Sequence, residues 1–237
     1  MGSGIFPDRT CAPLFFRTGG VMNSYKMKNM RLSDQIISIL NAEDDFLSGS
    51  AKNLGESRDN IKKAFSEIVS AAVNVIFIQC ILNQRSEEIC RMAQDCSLVN
   101  PKRNQFLTHS PISIKGSGAN SELFSDRFGS VVEVIARNTE IKSGSVKKLF
   151  SVLTPMVLSN IYFKYKAFGF TMGQLAIFLE KEARRNKTTR EITLELAALI
   201  KNEKNEAGPK KAKPVSFVSR VLNLVGISGN TIPTVNH

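Results

Sequence analysis

Apolar positions recur along residues 32–207 at helical spacing, and no alternating stretch is long enough for a useful strand. Val146, Leu149, Phe150 and Leu153 stand at i, i+3, i+4 and i+7, one face of a helix. Ile36, Ile37, Ile39 and Leu40 mark a shorter helix, 34–41, with Ser33 as its cap. Residues 68–84, "IVSAAVNVIFIQCILNQ", carry no charge between Glu67 and Arg85. That run falls short of the roughly 20 apolar residues that span a bilayer and includes Asn74, Gln79 and Asn83. It reads as a helix apolar on most sides, buried inside a bundle.

The same helix is written twice. Residues 51–77 align without a gap on residues 136–162 at an offset of 85. Ala51, Asn53, Lys62, Lys63, Phe65, Ser66 and Ile76 meet Ala136, Asn138, Lys147, Lys148, Phe150, Ser151 and Ile161. Seven identities exceed the roughly two expected of unrelated stretches of ordinary composition. The register continues: Thr171 and Gln174 form a capping box, and Ser86, 85 residues before Thr171, is a cap candidate followed by Glu87 and Glu88.

Each copy reads as helix, polar turn, helix, turn, helix. In the second copy a helix over 126–138 is capped by Ser125 or Asp126. After it, residues 146–153 form a helix that Thr154-Pro155 interrupts, with Thr154 capping a new or sharply kinked helix, 155–166. Gly169 stops that one, and the capped helix 172–187 follows. Ser70 stands where Pro155 does, so the first copy's long helix runs straight from about 59 to 83.

The expected fold is all-α: a multihelical bundle built from two internal repeats of short helices, with flexible terminal segments. Residues 1–31 are expected to be a disordered N-terminal extension, with methionines at 22, 27 and 30 as later start candidates. The first repeat covers 32–96. The Ser-, Asn-, Pro- and Gly-rich stretch 97–124, including "IKGSGAN", reads as a flexible linker. Residues 125–207 hold the second repeat and an amphipathic helix, 188–206, and 208–237 hold a basic linker and a short helix, 215–227. The start, "MGSGIFPDRTCAPLFFRTGG", is broken by Asp8, Arg9 and Arg17, unlike a secretory signal.

The stretch "VIARNTEIKSGSVKKLFSVLTPMVLSNI" resembles the YidB-like bacterial family, domain-of-unknown-function family 937. The pattern is an apolar helix ending in a polar turn, a small helix, a proline, an apolar helix and a Gly-preceded last helix. "LSGSAKNLGESRDNIKKAFSEIVSAAVNVIF" is similar to the family's N-terminal half, with Leu54-Gly55 at the turn. The resemblance covers roughly residues 33–185 and departs at Ser70 and in the length of the linker. It implies an all-helical bacterial protein and carries over no activity or functional residue.

Charge alters the picture more than composition does. The chain carries a net +11, unevenly: residues 32–100 sum to −4 and residues 131–187 to +6. The second copy thus offers a candidate anion-binding face of Lys142, Lys147, Lys148, Lys181, Arg184 and Arg185, beside Lys164 and Lys166. Few Asn, Gln or Arg side chains accompany "SVKKLFSVLTPMVL" to read base edges. Residues 215–227, with Phe217, Val218, Val221, Leu222 and Val225 behind Lys210, Lys211 and Lys213, suit an interfacial membrane contact, a helix folded over the bundle or a partner-binding peptide. Cys11, Cys80, Cys90 and Cys96 make no C-x-x-C, and His109 and His237 complete a poor set of metal ligands. No base–nucleophile pairing or full phosphate loop appears. The chain therefore reads as a non-enzymatic interaction or scaffold protein of the cytoplasm, without a cofactor or small-molecule substrate. Its expected partner is protein or a second copy. The alternatives are nucleic acid, or peripheral contact with the inner membrane.

Overall fold

The computed structural model describes residues 31–42, 44–97, 111–167, 169–186 and 188–200, and these contain helices and no strand. In chain order the helices are α1 (Leu32–Ala42), α2 (Asp44–Leu54), α3 (Arg58–Phe77), α4 (Ser86–Ser97), α5 (Pro111–Phe124), α6 (Phe128–Thr139), α7 (Ser143–Ala167), α8 (Met172–Arg185) and α9 (Arg190–Ala197). The chain is all-α. The N-terminal extension, residues 98–110, His109 and the 215–227 helix lie outside the described residues.

Helix α3 forms where the uncharged run lies. Ser57, in extended conformation, accepts the Asn60 N–H at 3.2 Å and so caps it. A π-helical turn, Ile78–Leu82, prolongs the helix close to the expected end. Every residue from Ile68 to Cys80 is buried, because α1, α2, α6, α7, α8 and α9 all pack around this helix. Each fully buried large aliphatic or aromatic side chain there contributes about 1.5–3 kcal/mol. By length and composition, Arg58–Leu82 would also suffice to cross a membrane, but 78% of its most apolar window is buried within the fold.

Helix α7 corrects the expected break at Thr154-Pro155, for it runs unbroken through the proline. Proline lacks the N–H that would bond the carbonyl of Ser151, one turn back. That carbonyl is met instead by the backbone of α5. A Cβ on Gly116 would lie 1.8 Å from the Ser151 oxygen and 2.9 Å from Pro155 Cγ, so two helices touch backbone to backbone where glycine faces proline. Thr154 does not cap; its hydroxyl donates to Asn120 Oδ1 of α5 at 2.6 Å.

Helix α5 is the second correction. Residues 111–124 belong to the stretch that composition marked as flexible linker, and "IKGSGAN" lies within the helix. Pro111 suits a helix start, since its missing N–H would have no partner there. Ile112, Ala119, Leu123 and Phe124 are buried, and Phe124 meets Phe150 edge-on with ring centroids 5.3 Å apart. Gly116 is small because α7 is close.

The two halves share one core. Helix α4 packs on α7, while α8 packs on α3, so the helix that follows each long helix lies on the other half's long one. Phe65 and Phe150 are both buried. The Thr171–Gln174 capping box is formed as expected. Three other caps are not. Ser33 lies inside α1, and Ser86 lies inside α4 with its hydroxyl given to the Cys80 carbonyl at 2.8 Å. Ser125 and Asp126 form a 3-10 turn without a side-chain cap. Helix α9 ends at Ala197, short of the expected amphipathic span, and residues 201–206 are outside the description.

Candidate functional site

The six cations of the candidate anion-binding face fall into two groups. Lys142, Lys147 and Lys148 surround the N-terminus of α7, exposed and free of ion pairs among the described residues. A helix N-terminus attracts anions through its unpaired N–H groups. Here the protein supplies its own: Glu56 Oε1 accepts the Lys142 N–H at 3.0 Å and the Ser145 hydroxyl at 2.8 Å. Ser143 is likewise engaged, donating to Glu133 at 2.7 Å.

Lys181, Arg184 and Arg185 line the far end of α8. Lys181 is exposed, Arg184 pairs with Glu180, and Arg185 lies 3.9 Å from the buried Glu182. That end is pinned to the last turn of α3 by Asn74 Nδ2, which donates to the Asn186 carbonyl at 3.1 Å. Glu56, by contrast, stands two residues before α3. At 1.5 Å rise per residue Asn74 lies about 24 Å along α3 from Arg58, the end beside Glu56. The six residues thus do not form one continuous face.

Glu182 acts much as Glu56 does, across the same divide. Its Oε2 accepts the Leu32 N–H at 2.6 Å, so a carboxylate from the C-terminal half serves the start of α1. Each half thus supplies a carboxylate that accepts from groups at the start of a helix of the other half.

A third basic group, not part of the expected face, lies where α7 ends and α8 begins. Lys164 Nζ sits 5.6 Å from the Phe178 ring centroid, and Lys166 Nζ 5.7 Å from those of both Tyr162 and Tyr165. Burial pushes the Lys164 ammonium below its usual range, with nearby Glu182 opposing the shift. Phe170 stacks tilted on Phe178 at 6.0 Å, and Met172 Sδ lies 4.0 Å from Cys90 Sγ. In the sequence these aromatics look like helix-core positions. The signal that marks them is the absence of any Asp or Glu from residue 141 to 179.

Sequence reading also missed a polar knot at the π-helical turn. Gln79 Nε2 donates to the Leu123 carbonyl at 2.7 Å, and its Oε1 accepts from Asn83 and Arg85 at 3.0 and 3.2 Å. Asn83 also donates to the Leu199 carbonyl at 3.0 Å, and Arg85 pairs with Glu88 and Glu122 at 2.6 and 3.3 Å. The knot ties α3 and α4 to α5 and to the turn after α9; every contact in it is structural.

The three described cysteines are held as neutral thiols. Burial pushes the Cys80 thiol up to about 12 and that of Cys96 up to about 11, and it raises Cys90 as well. At neutral pH such thiols hold almost no thiolate. Among the described residues no group of three or more His, Cys, Asp or Glu side chains is placed to hold a metal ion. Comparison with known proteins returned no matching family model, no matching curated protein and no matching solved structure.

Proposed function

We propose that this chain is a non-enzymatic interaction or scaffold protein, a diverged relative of the YidB-like family built on a duplicated helical unit. The observation that carries the reading is the use of its buried and paired polar groups. Glu56 and Glu182 cap helices of the opposite half, and Arg85, Gln79 and Asn83 tie helix ends together. The polar side chains in the best-defined clusters thus serve the fold. What the molecule offers outward is a surface: separate lysine groups and a corner of aromatic side chains.

The duplication is supported by geometry at one offset. Arg58–Leu82 and Ser143–Ala167 begin and end 85 residues apart. Gly55 and Glu140 both take left-handed backbone angles, φ 65° and 58°, as do Gln84 and Gly169, φ 54° and 59°. Each pair is again 85 residues apart. Glu56 N–H bonds the Ala51 carbonyl at 3.1 Å, as Ile141 N–H bonds that of Ala136 at 3.2 Å. A side-chain-bearing residue pays about 1–2 kcal/mol for the left-handed conformation, so its recurrence in register favours common descent of the turns.

Exchange of α4 and α8 between the long helices sets two halves of opposite net charge against each other within one molecule. This favours a protein-like surface over a nucleic-acid channel, and a place in the cytoplasm or on the membrane's inner face. The test is photo-crosslinking in native lysate, before and after nuclease, from a benzoylphenylalanine placed at exposed Ile177, with Gly118 as a second position. The reading expects a nuclease-resistant adduct, to a macromolecule or to lipid. Crosslinks that vanish with nuclease, or none from either position, would overturn it.

A further inference from the structure

Residues 141–179 contain five lysines and no acidic residue, and their later part folds into the corner between α7 and α8. Phe128, Tyr162, Phe163, Tyr165, Phe170 and Phe178 are the described aromatics left half-exposed, and all but Phe128 belong to this corner. Met172, 40% exposed, and Ile177, 67% exposed, add aliphatic surface. Ile177 faces away from Leu175 and Leu179, which are buried toward α3, and Lys181 follows it one turn later.

We infer that this corner is a contact surface for an anionic lipid bilayer. The inference rests on the reading of the chain as a non-enzymatic interaction protein, and it names one partner. Rings with an apolar body and a polar tip settle at the boundary between headgroups and acyl chains. Lysine stems lie along apolar surface while their ammonium groups stay at headgroup depth. Exposed Lys166 already takes that arrangement over the rings of Tyr162 and Tyr165, while half-buried Lys164 lies over Phe178. The acid-free stretch leaves lipid phosphates unopposed by carboxylates from α7 or the first turns of α8.

Other partners account for less of the surface. Single-stranded nucleic acid needs open ring faces for stacking, and Lys166 stands over both tyrosines. It also gives exposed isoleucine and methionine no role. A protein partner is normally met by hydrogen-bonding groups around an apolar centre. Thr171 and Gln174, polar side chains at this corner, are engaged with each other in the capping box. One shallow patch of this kind gives reversible binding that weakens with salt.

Sedimentation of the full chain with vesicles tests the inference. Vesicles of phosphatidylcholine alone are compared with vesicles containing phosphatidylglycerol, at low and physiological salt. The chain should pellet with the anionic vesicles and lose binding as salt rises. Lys166→Gln should lower the partition coefficient about fivefold. Ile177→Glu should lower it about tenfold or more, since it removes apolar contact and adds like charge. Both positions are exposed, so unchanged circular dichroism and thermal melting check the fold. Phe217→Ser with Leu222→Ser should leave binding largely intact. The inference is overturned by absent binding, by equal binding of Ile177→Glu and wild type, or by loss of binding in the 217/222 variant alone. It is also overturned by oligonucleotide binding that Ile177→Glu abolishes in a chain that ignores vesicles. Failure on vesicles with a nuclease-resistant protein crosslink retained would refute this partner and leave the interaction reading standing.

Discussion

Gly116 and Gly118 sit two residues apart in α5, and alanine should act on them in opposite directions. At Gly116 a methyl group would lie 1.8 Å from the Ser151 carbonyl oxygen and 2.5 Å from its carbon, both backbone atoms of α7. Ordinary contact begins near 3.4 Å, so the crossing must open by about 1.6 Å. Overpacking costs typically 1–3 kcal/mol, and backbone cannot swing aside as a side chain can, which places this site near about 3. Opening also loosens Leu123 and Phe124, buried on the same helix. Alanine returns about 1 kcal/mol through helix propensity, leaving a net loss of about 2 kcal/mol. At Gly118 the added methyl meets nothing within 4 Å, so the propensity gain stands almost alone, about 0.5–1 kcal/mol. Urea unfolding followed by circular dichroism measures both. For a chain of this size the melting temperature should fall by about 4–8 °C for Gly116→Ala and rise by about 1–4 °C for Gly118→Ala. A Gly116→Ala protein as stable as wild type would refute the backbone-to-backbone crossing, and so would equal losses at both positions.

Phe65→Ala and Phe150→Ala each remove a buried ring and should each cost about 3–5 kcal/mol in urea unfolding; a Phe150→Ala melt matching wild type would contradict the shared core. Cys80 and Cys96, with thiols raised to about 12 and about 11, should resist an aromatic disulfide reagent at pH 8 until the chain unfolds; peptide mapping that finds Cys80 labelled first in native protein would be inconsistent with its burial. Burial raises the Glu67 carboxyl above 4.5, a hydrogen bond from Asn138 opposes the shift, and Glu191 adds to it. The folded state therefore takes up this proton more readily than the unfolded chain, so this group's contribution to stability is lost as pH rises from about 4.5 through the folded value. Glu67→Gln should remove that decline and raise stability at neutral pH; urea midpoints that fall with pH equally in both proteins would refute the assignment.

What could be read in the sequence was what hydrophobic spacing dictates locally. The uncharged run around Val73 became the enclosed helix α3, Phe65 and Phe150 went inside, and Thr171 found Gln174. Helix α5 was hidden because Ser, Gly and Asn carry the same letters in a loop as in a tightly crossed helix. Gly116 answers to a carbonyl on a helix 35 residues away, a cause outside its own segment. Pro155 was read as a stop for the matching reason: its cost is local, while the contact that accompanies it comes from α5. The candidate site was legible as charge and illegible as shape. Counting lysines cannot reveal that Lys142 and Arg185 are held at separate points along α3. Nor does apolar spacing separate half-exposed Tyr162 and Tyr165 from true core positions such as Ile161.

The interlock of the halves bears the most weight, since it puts α4 on α7, α8 on α3, and the acidic half against the basic one. A specific protease site placed within residues 98–110 of the full chain, between α4 and α5, tests it directly. After complete cleavage the two pieces should still elute together in gel filtration at physiological salt and melt in a single transition. Pieces that separate without denaturant, or that melt independently, would contradict the account.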